Sequence, residues 1–338
     1  MIGYIIRRLL LLLLCLVGVV SLIFLLVRVM PGDAARALAG RSADPQTVAT
    51  IRDTLGLDEP LWRQYVQYMG DIVALDFGSS MISQEPILDE ILRYFPPTFE
   101  LVTVSLLITT VVGVILGVLS AVRQDRLADN LIRIVSMSGV SMPVFWLAIL
   151  LQLALASTLK ILPVEGRLSI DLVLANPIPH ITGLYTVDAL ITGHWAALGD
   201  ALKHLLLPAL CVSYGELAFV TRLTRASMLE TMHQDFVRTA RAYGFRESVV
   251  IFKYTLRNAL IPVITVLGMS YGFLLGGSVL VETVFSWPGL GRYVVNSIFA
   301  RDTPAIIGVV VLTAFIVMFL NLVVDIVYLF VDPRIEYG

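Results

Sequence analysis

The side chains able to do covalent or metal chemistry are few in this chain, and they are scattered. No Gly-x-x-x-x-Gly-Lys-Ser/Thr run is present, so the sequence builds no phosphate-cradling loop of that kind. No serine stands in a Gly-x-Ser-x-Gly elbow. His180, His194, His204 and His233 include no pair at ligand spacing on one helix. Cys15 and Cys211 each lie in an apolar run without a partner at metal or redox spacing, and read as small packed hydrophobes. The chain is therefore expected to carry no catalytic site, no metal and no cofactor of its own. Energy for any work it does comes from another subunit or from an ion gradient.

Three acids interrupt apolar stretches: Glu100, Glu216 and Asp325. A charge at the centre of a bilayer costs about 2.5–3.5 kcal/mol on insertion scales, so each should face protein or water. Glu100 reads as interfacial. Asp325, one turn after Asn321, reads as a hydrogen-bonding site within a bundle, with a place on a solute path as the sharper alternative. Glu216 is the candidate for contact with a solute's ammonium group. Gly268, Gly272 and Gly276 form a ridge along one helix face, and Gly113 and Gly117 a shorter one. Such ridges let helices approach closely in lipid. The alternative is that the first ridge lines a translocation path.

The densest patterning lies at 222–258. Asp235 is placed to cap a helix that begins at Phe236, since its carboxylate can accept the free amides of the first turn. Phe236, Val237 and Ala240 fall on one face, and Arg238 and Arg241 on the other. Gly244 suits the left-handed turn that ends a helix. A second helix, about 247–258, then leads through Pro262 into an apolar run. Three roles compete for the first helix: lying in the headgroup layer, reading DNA as part of a helix-turn-helix, or inserting into a groove on a soluble partner. The tether at both ends leaves no room for a groove-spanning DNA module, so no nucleic-acid partner is expected.

These residues are positioned by elements that belong in lipid. Of 338 residues, 57% are hydrophobic and 15% charged, against about a quarter charged in a soluble domain. The apolar runs are continuous rather than alternating, and unpaired backbone amides are not tolerated in hydrocarbon, so the spans are helices. Six are expected: 9–29, ended by Pro31-Gly32-Asp33; 101–122, after Pro96-Pro97; 131–159, kinked at Pro143; 205–220; 260–281; and 306–331. The fold class is thus an all-α integral membrane protein of six transmembrane helices. Arg7-Arg8, an apolar stretch and Ala37-Leu38-Ala39 resemble a cleavable signal peptide, but a signal's apolar region is about 7–15 residues long. Here 19 uncharged residues, 9–27, precede Arg28, so a retained helix is expected.

Charge sets the orientation. Residues 1–8, 123–133, 222–258 and 332–338 hold 13 Lys and Arg in 63 residues, whereas 31–97, 160–203 and 282–305 hold 10 in 135. The positive-inside rule then places both termini and 222–258 in the cytoplasm. The chain divides into 1–30 (tail and first span), 31–97 (an outer segment) and 98–338 (a core of five spans with an outer loop at 160–203). In the outer segment Asp44-Pro45 begins a short helix carrying Val48, Ile51 and Leu55, with Gly56 as its cap. Leu61, Tyr65 and Tyr68 continue an amphipathic pattern after Pro60. A solvated cap over the outer mouth and a docking surface for a soluble protein both fit this segment.

The stretch Phe236-Val237-Arg238-Thr239-Ala240-Arg241-Ala242-Tyr243-Gly244, followed by Leu256-Arg257-Asn258-Ala259-Leu260-Ile261-Pro262, resembles the coupling loop of bacterial ABC importer permeases of the dipeptide/oligopeptide/nickel branch. The general pattern there is Glu-Ala-Ala, three residues, Gly and a later Leu-Pro. Here the triplet is Arg238-Thr239-Ala240, so only Ala240 and Gly244 match, and Gly244 stands farther from Pro262 than the general pattern has it. Both departures are features of the peptide branch. Ser141-Met142-Pro143-Val144-Phe145-Trp146, the run Glu282-Thr283-Val284-Phe285-Ser286-Trp287-Pro288-Gly289-Leu290-Gly291-Arg292, the start from Arg7-Arg8 to Pro31-Gly32-Asp33 and the ending Asp332-Pro333-Arg334 are similar to the same branch.

The resemblance implies a type I ABC importer permease of the bacterial inner membrane. It implies a second, similar permease subunit, two ATPase subunits that bind ATP and magnesium, and a periplasmic or lipid-anchored binding protein. Residues 235–242 and Gly244 would dock on the ATPase. Dipeptides or oligopeptides lead as solute, with glutathione, opines, nickel chelates and haem open. A secondary transporter is the rival class, but such proteins usually carry internal repeats, and none is seen here.

Overall fold

The computed structural model describes residues 2–29, 44–54, 56–175 and 177–331. Every regular element among them is helical. Five helices are long and apolar enough to cross a bilayer, and two shorter ones meeting at 112° can make a sixth span. Pro31-Gly32-Asp33, Ala37-Leu38-Ala39, Leu55 and Asp332-Pro333-Arg334 lie outside the described residues.

The chain forms two units. One comprises residues 1–93 and 296–319. Within it α1 (Ile2–Val29) is the first span. α2 (Pro45–Thr54) is capped by Asp44, whose Oδ1 accepts from the Thr47 amide at 3.0 Å. α3 (Leu61–Val73) packs on α1: Tyr65 and Tyr68 set their rings 5.4 and 5.6 Å from Phe24, and the Tyr65 hydroxyl stands 2.7 Å from Ser21 Oγ. The segment that follows is tied down by Asp302, which accepts from Ser80 Oγ at 2.5 Å and from the Met81 amide at 3.1 Å.

The second unit comprises residues 94–295 and 320–338. α4 (Ile87–Val122) starts in the first unit and runs through the second. It corrects the expected boundary, because Pro96 and Pro97 lie inside the helix rather than before it. Proline removes an amide donor and crowds the preceding turn, but tertiary contacts hold this turn helical. Trp287 Nε1 donates to Pro97 O at 2.9 Å and Thr98 Oγ1 to Glu282 at 2.8 Å.

The expected kink at Pro143 is a full break. α5 (Leu127–Ser141) ends, Met142 and Pro143 are extended, and α6 (Val144–Leu151) leaves at 112°, continuing as a wider-wound turn to Thr158. The residue before a proline is pushed out of helical geometry, which fixes the break at Met142. The loop 160–203 contains two short helices, α7 (Ile170–Ala175) and α8 (Tyr185–Ile191). α9 (Trp195–Met232) far exceeds the expected 205–220. After α10 (Asp235–Ala242), the expected separate helix and fifth span are one rod, α11 (Glu247–Val284), wider-wound over Val250–Leu256. α12 (Leu290–Ala300) and the last span α13 (Thr303–Val331) complete the chain.

Glycine decides where helices touch. A Cβ on Gly117 would stand 2.5 Å from Thr224 Cβ and 2.8 Å from Thr221 O, so α4 and α9 meet backbone to backbone there. Gly139 of α5 faces Tyr214 O of α9 in the same way.

Candidate coupling helix and membrane path

α10 is eight residues long, and its two faces differ. Val237 and Ala240 are buried with Val250 of α11, and Tyr254 packs on them. Phe236, expected on that face, is exposed instead: adjacent residues stand about 100° apart, so it turns away from its neighbour Val237. Asp235 is not the cap. Gln234 occupies that position without a side-chain bond, and Asp235 is the first helical residue, fully in solvent and 3.6 Å from Arg238. Its charge still suits the amide-rich end of the helix.

Thr239 bonds its own helix, Oγ1 donating to Asp235 O at 2.9 Å. Arg241 reaches across to Glu247 at the start of α11, Nη2 to Oε1 2.8 Å and Nε to Oε2 3.3 Å. Gly244 turns the chain with φ +75°. Open space surrounds it, so backbone angle rather than room requires glycine. Phe236, Arg238, Thr239, Ala242 and Tyr243 form an outward surface held rigidly to the base of α11.

The membrane candidates separate. Glu216 of α9 is half-buried and accepts from Ser270 Oγ of α11 at 2.8 Å. It lines a cavity of about 230 Å³ with Gly139, Tyr214, Phe273 and Gly277. Gly268 and Gly272 are half-buried, whereas a Cβ on Gly276 would meet nothing within 4 Å, so this end of the ridge does not pack within the chain. Close packing falls instead to Gly113 and Gly117. Asp325 sits on α13, and its side chain lies outside the described residues.

Glu100 stands just before the expected span 101–122 and finds its partners within the chain. It is buried, 2.5 Å from Arg167 Nη2, and accepts from Thr186 N at 2.8 Å and Thr186 Oγ1 at 2.6 Å. The Arg167 guanidinium also lies 3.9 Å over the Tyr185 ring. This pairing ties the loop 160–203 to α4.

Two further polar centres escaped the sequence. Asp129 takes a fork from Arg225, at 2.9 and 2.8 Å, with the Ser120 hydroxyl beside it, joining α4, α5 and α9. Glu282, fully buried, accepts from Thr98, Ser278 at 3.1 Å and the Arg292 amide at 3.1 Å. Their partners stand up to 184 positions away, a separation no local pattern reveals.

A bundle of apolar helices with a short polar helix braced at the base of one span is the architecture of a transporter's membrane component. Residues 113–337 match the family of binding-protein-dependent transport system inner membrane components, and residues 1–102 match the N-terminal family of the same components. The chain belongs to this family, the type I permeases of ATP-binding-cassette transporters, and is a multi-pass inner-membrane protein. It is 41% identical over 337 residues to a dipeptide transport system permease protein of Alkalihalophilus pseudofirmus, covering 100% of both chains. It is 44% identical over 321 residues to a probable D,D-dipeptide transport system permease protein of Escherichia coli K12, covering 95% of this chain and 94% of that one. A glutathione transport system permease protein of the same organism is 39% identical over 337 residues, again with full coverage of both.

Proposed function

We propose that this chain is one of two permease halves of an importer for dipeptides and oligopeptides, driven by ATP hydrolysis in separate subunits. Both termini lie in the cytoplasm, and a soluble or lipid-anchored binding protein delivers the solute from the outer side. The observation that carries the reading is α10. Its buried face and the Arg241–Glu247 pair fix it to α11, while its other face is exposed among the described residues. A partner that moves α10 thereby moves a helix running the length of the membrane. Magnesium and ATP belong to that partner, since this chain has no phosphate loop. The names of the relatives favour a peptide solute. Glutathione, itself a small peptide, is the second reading because one relative is named for it.

Within the path, Glu216 offers a carboxylate to the free ammonium group of a passing peptide, Gly277 lines the same cavity from the adjoining helix, and a Cβ on its neighbour Gly276 would meet nothing within 4 Å. The deciding test is ATP-driven uptake of labelled dialanine in cells that lack other peptide importers, with and without this chain and with its neighbouring subunits present. Uptake that vanishes with the chain supports peptide import, whereas uptake that persists moves the solute elsewhere.

A further inference from the structure

α3 is amphipathic through its whole length, and only part of its apolar side is used. Around the helix at 100° per residue, Tyr65 and Tyr68 form the side that meets Phe24 and Ser21 of α1. Next to it comes a second apolar sector, Trp62, Val66, Met69 and Val73. Trp62, Val66 and Val73 are 64%, 62% and 82% exposed. The remaining sector is polar: Arg63, Gln67 and Asp71.

The depth of α3 follows from its partner. Ser21 and Phe24 belong to the apolar window of α1, 6–26, and Ser21 lies about 7 Å short of that window's end at 1.5 Å per residue. A helix whose tyrosine hydroxyl bonds Ser21 cannot ride clear of the membrane. Around this contact α1 exposes Leu22, Leu25 and Leu26, within its apolar window. The open sector of α3 adjoins it and continues the same apolar face.

We propose that α3 lies in the plane of the membrane, in the leaflet away from the N-terminus. Its Trp62–Val66–Val73 face sits in the boundary between headgroups and acyl chains, and its Arg63–Gln67–Asp71 face in water. Helices of this kind bury their apolar side about 5–10 Å into the boundary, and a tryptophan at its edge suits the amphipathic indole ring. The segment is then neither a solvated cap nor a docking face for a protein but a float that fixes α1 in depth. The inference is independent of which solute is carried.

The test uses the assembled transporter in lipid nanodiscs, with Cys15→Ser and Cys211→Ser as background. Nitroxide labels are placed at Val66→Cys and at Gln67→Cys, and collision rates are read with oxygen and with a water-soluble nickel chelate. The oxygen-to-nickel ratio at 66 should exceed that at 67 several-fold. Equal access of the chelate to both sites would overturn the proposal in favour of a solvated helix. A label at 66 closed to both reagents would overturn it in favour of a covering protein. If the cysteine-free background does not assemble, quenching by brominated lipid compares the unsubstituted protein with Trp62→Phe. Loss of a quenchable component is expected, and identical quenching in the two would count against a lipid contact.

Discussion

Glu282 is a fully buried carboxylate held between α4, α11 and α12. Its carboxylate accepts from two hydroxyls and a backbone amide, and Gly289 and Gly291 close over it. A Cβ on Gly291 would lie 2.6 Å from Val279 Cα and 2.8 Å from Glu282 Oε2. Gly291→Ala should therefore destabilise the protein by about 1–3 kcal/mol, the usual cost of overpacking, read as a lower unfolding temperature in detergent. Asp129 makes a corresponding case. Asp129→Ala strands the Arg225 guanidinium, and removing one partner of a buried pair costs about 3–5 kcal/mol. Arg225 is about a fifth exposed, so the lower end of that range is expected in the same measurement.

Asp188, in the loop 160–203, adds a pH dependence. Burial works against its charge, but the Thr182 hydroxyl and the amides of Ile181, Thr182 and Gly183 prevail and hold its carboxyl below the ordinary value of 3.8. A depressed folded value means that its contribution is complete above about pH 3.8 and is lost as pH falls through the folded value. Asp188→Asn should expose this loop to proteolysis at pH 7, and its difference from the unsubstituted protein should shrink in acid.

At the scale of elements, the faces of α10 make different predictions. Ala240 is buried in the hairpin with α11, so a large residue there disturbs the hairpin and cannot report on docking alone. Phe236→Asp changes only the outward face. It should abolish uptake while leaving stability within about 0.5 kcal/mol of the unsubstituted protein, as surface changes do, read as a nearly unchanged unfolding temperature. Retained uptake in this variant would remove α10 from the coupling role. The glycine ridges divide in the same way. Gly117→Ala sets a methyl against Thr224 and Thr221 across the α4–α9 contact and should weaken folding. Gly276→Ala meets open space, so folding should be unaffected and any loss should appear in transport alone.

At the scale of the molecule, lipid solvation explains both the composition and the mode of packing. Apolar burial supplies little drive between helices surrounded by apolar tails, so association rests on close backbone approach and on polar pairs. The contacts of Gly117 and Gly139, the Asp129–Arg225 fork and the Glu100–Arg167 pair are the forms this takes here. Mutating Glu216→Gln should weaken uptake of peptides with a free amino group while the complex still assembles. Unchanged uptake kinetics would take Glu216 off the path.

The sequence by itself determined the helical class, the apolar spans, a bend at Pro143 and the turn at Gly244, because each rests on a local cause: continuous hydrophobicity, proline stereochemistry or a left-handed backbone angle. That the bend is a full break of 112° was decided by the structure. The motif of α10 was also legible, although the placement of Asp235 and Phe236 was not. The rest waited on tertiary structure. Pro96 and Pro97 stay helical through contacts made by Trp287 and Thr98. Glu100 is an ion-pair partner only because Arg167 folds back onto it. Gly117 packs while Gly276 stands open, and the two are alike in sequence. A side chain's role in a bundle depends on what the neighbouring helix brings to the same depth, and that is set by packing between segments far apart in the chain.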